Sequence, residues 1–201
     1  MTTLKTVPAL ARHLAEMTGF PDSTLVHIAR RLREAEHLSQ TGRGRGAALA
    51  SSRDAATILL VTVMTGVALY AGTVAKALAD SKIEAEGSGW KKGDDQTTVA
   101  GLKLKSTDPV GVVAEIIDAL RERNTDFGGI DAISIWPGSL PVILWDDGKR
   151  SFQFNAGKSK DTKKYLEISG RRGIRGIRSR VEIEPWVLTE IANWLEGRET
   201  K

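Results

Sequence analysis

The sequence predicts an α+β chain, helical through residues 1–80 and built beyond residue 98 around a mostly antiparallel sheet with two helices. Apolar residues recur at helical spacing through the first part. In the second they fall in short alternating runs separated by turn signals. Between the two lies SKIEAEGSGWKKGDDQT, residues 81–97, polar, charged and Gly-bearing, which reads as a linker or exposed loop. The expected organisation is therefore a helical domain over 1–80, a linker over 81–97 and a basic α+β domain over 98–201.

Thr6-Val7-Pro8 predicts the first helix start, with Thr as cap and Pro in the first turn. Leu10, Leu14 and Met17 follow at helical spacing, and Gly19 stops the helix. A second helix opens at Phe20-Pro21-Asp22-Ser23, turns Leu25, Ile28, Leu32 and Ala35 inward, and ends near Leu38. The Gly/Arg stretch 41–47 is a loop. Ser51 or Ser52 then caps a long apolar helix, with Asp54 in its first turn, where the helix dipole favours an anion.

The second half begins with an alternating strand over 97–105. Asp108-Pro109 then starts a helix that runs to about Arg123. Strand-like runs follow at 130–136, 141–145, 151–155, 164–169 and 174–183, with Asp147-Gly148 as a two-residue hairpin signal. Glu184-Pro185 opens a last helix with Val187, Ile191, Trp194 and Leu195 on one apolar face. There is no internal repeat.

Composition narrows the chemistry. The chain of 201 residues has no cysteine, which excludes a disulfide scaffold, thiolate zinc fingers, iron–sulfur clusters and thiol nucleophiles together. Its three histidines, at 13, 27 and 37, all lie near the start. The net charge is +4 and the pI about 9.4. Lys and Arg outnumber Asp and Glu eight to five over 1–60 and eleven to two over 149–180, whereas 81–148 has seven against twelve. Two basic blocks favour a polyanionic partner, nucleic acid first and an anionic membrane surface second.

The stretch 55–75 is twenty-one residues without a charge, long enough for one membrane span. Thr65-Gly66 and Ala71-Gly72-Thr73 interrupt it, four Thr are scattered through it, and no Trp anchors its ends. Two consecutive buried helices, 52–65 and 69–80, are the expectation, with a membrane-tethered protein as the alternative. Residues 1–9 lack a basic start followed by an apolar run, so no secretory signal is read there and a cytoplasmic location is expected.

One run concentrates the functional signal. Leu14-Ala15, Gly19 four residues after the Ala, a Ser23-Thr24 helix start and the ending Leu32-Arg33-Glu34-Ala35 stand in order within residues 14–38. In this it resembles the helix-turn-helix core of the winged-helix regulators of bacteria and phages, over about residues 6–60. Ala15 is small where two helices would cross closest, and Gly19 can adopt the left-handed conformation of a tight turn. With Leu14, Phe20, Leu25 and Ile28 inward, Ser23, Thr24, His27, Arg30 and Arg31 fall on the opposite face, which such proteins lay in the major groove. The run departs from the usual pattern at Pro21, where a capping Ser is usual, and at Glu36, where a Gly commonly ends the second helix. No helix precedes Thr6, so 52–65 must serve as the third.

Gly42-Arg43-Gly44-Arg45-Gly46 follows where a wing would stand. Gly-rich backbone beside guanidinium groups suits phosphate contact, and Arg43 or Arg45 could enter a minor groove. The second basic block carries Lys158, Lys160, Lys163, Lys164, Arg171, Arg172, Arg175, Arg178 and Arg180 among strand-like runs. A solvated sheet face and a nucleic-acid surface fit these charges equally well, with a protein partner or a second protomer as the further alternative.

Enzyme readings are weaker. Asp147-Gly148-Lys149 fits the Asp-x-Lys end of metal-dependent nucleases, with Asp131 upstream, but here the motif reads as the turn itself. His27 has no Asp or Glu at metal-ligand helical spacing, and His13 and His27 read as groove-facing or surface residues. Gly170-x-x-Gly173-x-x-Gly176 lacks dinucleotide-binding spacing. The expectation is a non-enzyme without metal or cofactor: a sequence-specific double-stranded DNA-binding protein, homo-oligomeric, regulating transcription by the resemblance above. Within DNA binding, the alternative is a phage packaging or recombination accessory protein; outside it, an adaptor for acidic proteins.

Overall fold

A helix that is apolar all round needs cover on every side, and residues 52–65 make such a helix the centre of this fold. The computed structural model describes residues 5–39, 49–86, 95, 97–124, 127–135, 140–145, 149–155, 160, 163–164 and 181–198. Helices α1 (Val7–Thr18) and α2 (Asp22–Glu34) form a hairpin against α3 (Ser52–Thr65), in which Ala55 to Thr62 are all buried. A 3-10 turn (Ala68–Tyr70) leads into α4 (Ala71–Ala79), which closes on the C-terminal part of α2. There Gly72 lets the two helices approach: a Cβ at that position would sit 3.4 Å from the Ala35 methyl.

The remaining sides of α3 are covered from the second half of the chain. Helix α5 (Pro109–Glu122) is the most extensive neighbour of α3, and α6 (Pro185–Glu196) packs against α5 and touches α3. One continuous hydrophobic cluster runs from Val7 through Leu60, Ile116 and Ile143 to Ala192. Buried residues of the stretches 1–80 and 98–201 belong to this same cluster. The apolar circumference of α3 exceeds what α1, α2 and α4 can cover. A polar lock closes the same junction. The buried Ser52 hydroxyl donates to Asp118 Oδ1 (2.5 Å), and Arg121 bridges Asp118 (3.0 Å) to Glu196 (2.7 Å).

Among the described residues, the main sheet has five strands in the order β1-β6-β5-β4-β7, every neighbouring pair antiparallel. They are β1 (Lys82–Glu86), β4 (Ala132–Ile135), β5 (Val142–Trp145), β6 (Arg150–Asn155) and β7 (Val181–Ile183). Register sets Ile183, Ile133, Ile143 and Phe152 in one row across four strands, all buried. Such cross-strand apolar pairs are what hold a sheet face to its core. The α+β class with an antiparallel sheet is thus observed.

Three expectations change. The stretch 81–97 is not wholly linker, since β1 lies within it and pairs along β6. The single strand expected over 97–105 is a small hairpin, β2 (Thr98–Val99) against β3 (Leu102–Lys103). Its turn residues Ala100 and Gly101 both have positive φ, 46° and 88°, as a two-residue hairpin turn demands. Lys164, expected to open a strand, has helical backbone. Of the strand expected over 174–183, only Val181–Ile183 lies among the described residues.

Helices α3 and α4 are bent by 118° at the break between them, and among the described residues no single helix is long and apolar enough to cross a membrane. The two-helix reading of 55–75 is the one observed.

Candidate nucleic-acid interface

Helix α1 begins at Thr6, which stands in the cap position with extended backbone but makes no side-chain cap bond; Pro8 occupies the first turn. It ends at Gly19, whose φ of 71° is the left-handed conformation a glycine adopts without strain, and the Gly19 N–H donates to Ala15 O (3.0 Å). Phe20 packs against the core beside Gly66, and Pro21 takes the cap position of α2. Proline has no hydroxyl to cap with, yet its carbonyl still accepts from the backbone N–H of Thr24 (2.9 Å). The chain thus turns sharply at position 19 between two helices that pack face to face.

Leu25, Ile28, Ala29 and Leu32 are buried on the inner face of α2, with Leu14 of α1 at 0% exposure opposite. The outer face carries Ser23, His27, Arg30 and Arg31, all exposed, with Thr24 half-buried at its edge. The structure therefore brings the five α2 residues picked from sequence onto one solvent-facing ridge. Glu34, which sequence reasoning did not single out, sits at its end. Arg30 Nε donates to Glu34 Oε1 (2.8 Å) and Arg31 Nη1 to Glu34 Oε2 (3.0 Å). The Arg30 hydrogen bond, then that of Arg31, holds the Glu34 carboxyl below its ordinary range. The three side chains together keep one net positive charge.

Helix α2 stops at Glu34, earlier than expected, and Glu36 follows with a φ of 61°. A side chain here occupies the left-handed position that glycine fills in the resembled pattern, at a backbone cost of about 1 kcal/mol.

Arg43 and Arg45 lie outside the described residues, but both stems of their loop are defined. The buried Asp54 carboxylate accepts the Ser39 N–H (2.8 Å) and hydroxyl (2.9 Å) from the entering stem, and the Ser51 N–H (2.8 Å) and hydroxyl (2.7 Å) from the leaving one. Leu49 forms an isolated antiparallel bridge with Thr6, and the Ala50 N–H donates to Lys5 O (2.6 Å). One carboxylate thus joins Ser39, the last described residue before 40–48, to Ser51 at the start of α3. Ser51-x-x-Asp54 was visible in the sequence as a helix start, whereas no local spacing connects Asp54 with Ser39.

Of the second basic block, Lys160, Lys163 and Lys164 are exposed on helical backbone; Lys158, Arg171, Arg172, Arg175, Arg178 and Arg180 lie outside the described residues. The nuclease-like motif falls there too at Asp147 and Gly148, with Lys149 and Asp131 exposed beside it. Among the described residues, no three His, Asp or Glu side chains gather where they could hold a metal ion. One expectation fails outright: His13 is neither groove-facing nor on the open surface. It is half-buried and stacked on Trp194 of α6, with ring centroids 5.4 Å apart, while Lys5 Nζ lies 4.4 Å from the Trp194 ring. Burial is the main force holding the His13 pKa below 6.5, and nearby Lys5 adds to it against the pull of Glu16 and Glu190.

Compared with known proteins, the chain matches no family model, no curated protein and no solved structure.

Proposed function

We propose that the chain binds double-stranded DNA in a sequence-specific manner, with α1 and α2 acting as a helix-turn-helix and α2 as the element laid in the major groove. One observation carries the reading. A two-helix hairpin with a left-handed glycine at its elbow buries one face of α2 completely and leaves Ser23, His27, Arg30 and Arg31 in a solvent-facing row. Arg addresses guanine through two parallel donors, and Ser, Thr and His supply shorter contacts, so this row has the chemistry that base edges require. Arg31 at the side of the ridge, with Arg43 and Arg45 in the Gly/Arg stretch that follows in sequence, is suited to phosphates, which position a protein without specifying sequence. By the resemblance of residues 6–60, the role is transcriptional regulation in a bacterium or phage, in a homo-oligomeric protein whose second half dimerises, adds DNA contacts or binds a protein partner.

Selection of bound duplexes from a random pool tests this directly. A preferred site is expected to emerge, and a palindromic site would match a two-fold dimer. A pool that stays random after repeated selection would remove the sequence-specific reading.

A further inference from the structure

The elbow also forms one wall of a cavity of about 260 Å³ that is distinct from the α2 ridge. Its floor is apolar: Met17 at the end of α1, Phe20 in the turn, and Leu59 and Val63 of α3. The rest of its lining comes from β7 and the start of α6, where Val181, Ile183 and Val187 stand with Glu184 and Trp186. Trp186 is 49% exposed, unusual for so large an apolar side chain, and its indole Nε1–H donates to Glu184 Oε2 (2.7 Å). The other carboxylate oxygen of Glu184 has no hydrogen-bond partner among the described residues, and no Lys or Arg among them pairs with it.

An apolar bed with a few polar groups at one end is the usual build of a small-molecule site. The polar end here is anionic and aromatic together. A carboxylate attracts an ammonium group, and an indole face beside it adds a cation–π contribution once water is displaced. An anion would meet the Glu184 carboxylate, and a wholly apolar guest would leave that carboxylate facing it without recompense. We infer that the cavity binds a small amphipathic amine, its ammonium at Glu184 and Trp186 and its apolar body over Met17, Phe20, Leu59 and Val63. The small volume favours a compact molecule over a folded partner.

Met17 and Phe20 flank Gly19, so an occupant touches both sides of the turn that sets α2 against α1. An effect of the amine on DNA affinity rests on the DNA reading above; occupancy of the cavity does not.

The test uses the full-length free protein and 2-phenylethylamine as probe, followed by NMR at the Trp186 indole N–H and the Met17 methyl. Saturable shifts at both are expected, with 2-phenylethanol, the uncharged isostere, bound at least about tenfold more weakly. Glu184→Gln, at an exposed side chain, is expected to bring the amine down to the affinity of the alcohol. Equal binding of amine and alcohol, or no shift at these two groups, overturns the inference, as does binding only of a Lys-bearing peptide. No DNA is present, so failure here and failure of the DNA reading are separately visible.

Discussion

Ser39 and Asp54 are joined twice, the Ser39 N–H and hydroxyl both donating to the buried Asp54 carboxylate at 2.8 and 2.9 Å. Because Ser51 donates to the same group, one side chain joins the two described stretches on either side of residues 40–48. Asp54→Ala leaves part-buried N–H and hydroxyl donors of Ser39 and Ser51 without their acceptor. It is expected to destabilise the protein by roughly 3 kcal/mol, since hydrogen bonds to a charged acceptor contribute about 1.5–3 kcal/mol each and do not add fully. Urea denaturation measures the loss, and hydrogen exchange at Ser39 locates it. Unchanged protection of the Ser39 amide would show that the clamp does not hold the loop stem.

Glu36 offers the opposite case. With φ at 61° it carries a backbone conformation that glycine adopts freely. Glu36→Gly removes that cost but gives the unfolded chain more freedom, so the expected gain is at most about 1 kcal/mol. Glu36→Val, β-branched at the same position, is expected to lower the melting temperature. A loss of stability on substitution by glycine would mean that the side chain makes contacts outweighing the strain.

The helices and their inner faces were legible in sequence because burial imposes a period that composition cannot hide, and the α2 ridge was legible as its complement. Leu25, Ile28 and Leu32 inward place His27, Arg30 and Arg31 outward by geometry alone. What escaped has physical reasons. Strand β1 (KIEAE) lies at a sheet edge, where Lys82 and Glu84 are exposed and little apolar patterning is required. The β2–β3 hairpin hides because Ala100 is not a residue that announces positive φ. The unity of the core escaped because a polar stretch looks like a boundary, while the deciding contacts, α3 on α5 and Ser52 on Asp118, are far apart in sequence.

That unity predicts cooperative unfolding. With α3 covered by α5 and α6, calorimetry is expected to show one transition whose calorimetric and van't Hoff enthalpies agree. Residues 1–80 expressed alone expose the α3 face that α5 covers and are expected to remain without fixed tertiary structure, read as a collapsed near-UV circular dichroism signal. Two separable transitions, or a folded 1–80 fragment, would restore the two-domain description.

Acid sensitivity follows from two histidines. His13 and His37 both have folded-state pKa values below 6.5, each mainly through burial, with Lys5 acting on His13 and Lys76 on His37 in the same direction. Glu16 and Glu190 oppose the shift at His13 without reversing it. The unfolded chain therefore binds these protons more readily than the folded one. Their contribution to stability is complete above pH 6.5 and is lost as the pH falls through that value toward the lower folded pKa values. Urea midpoints are expected to decline between pH 7.5 and 5. His13→Phe, which preserves a ring against Trp194 but cannot titrate, is expected to flatten part of that decline; an unaltered slope would exclude His13 as a contributor.

On the proposed DNA reading, the α2 ridge separates reading from anchoring. Arg30 gives its Nε to Glu34 and keeps its two terminal nitrogens for a partner, the pair of donors that suits the O6 and N7 acceptors of guanine. Arg30→Ala is therefore expected to weaken binding to the selected duplex by about 1–3 kcal/mol and relax base preference at one position, with a smaller loss on random duplex. Arg43→Ala, removing the proposed phosphate contact, is expected to weaken all duplexes alike and reduce the salt slope by about one. Glu34→Gln keeps a weaker hydrogen bond but removes a negative charge beside the phosphates. It should therefore tighten random duplex more than selected duplex, lowering discrimination while raising affinity. Fluorescence anisotropy against both duplexes over a range of salt measures all three variants. Equal losses on selected and random DNA for Arg30→Ala and Arg43→Ala would mean that α2 contributes charge alone, and the base-reading role of Arg30 would fall with it.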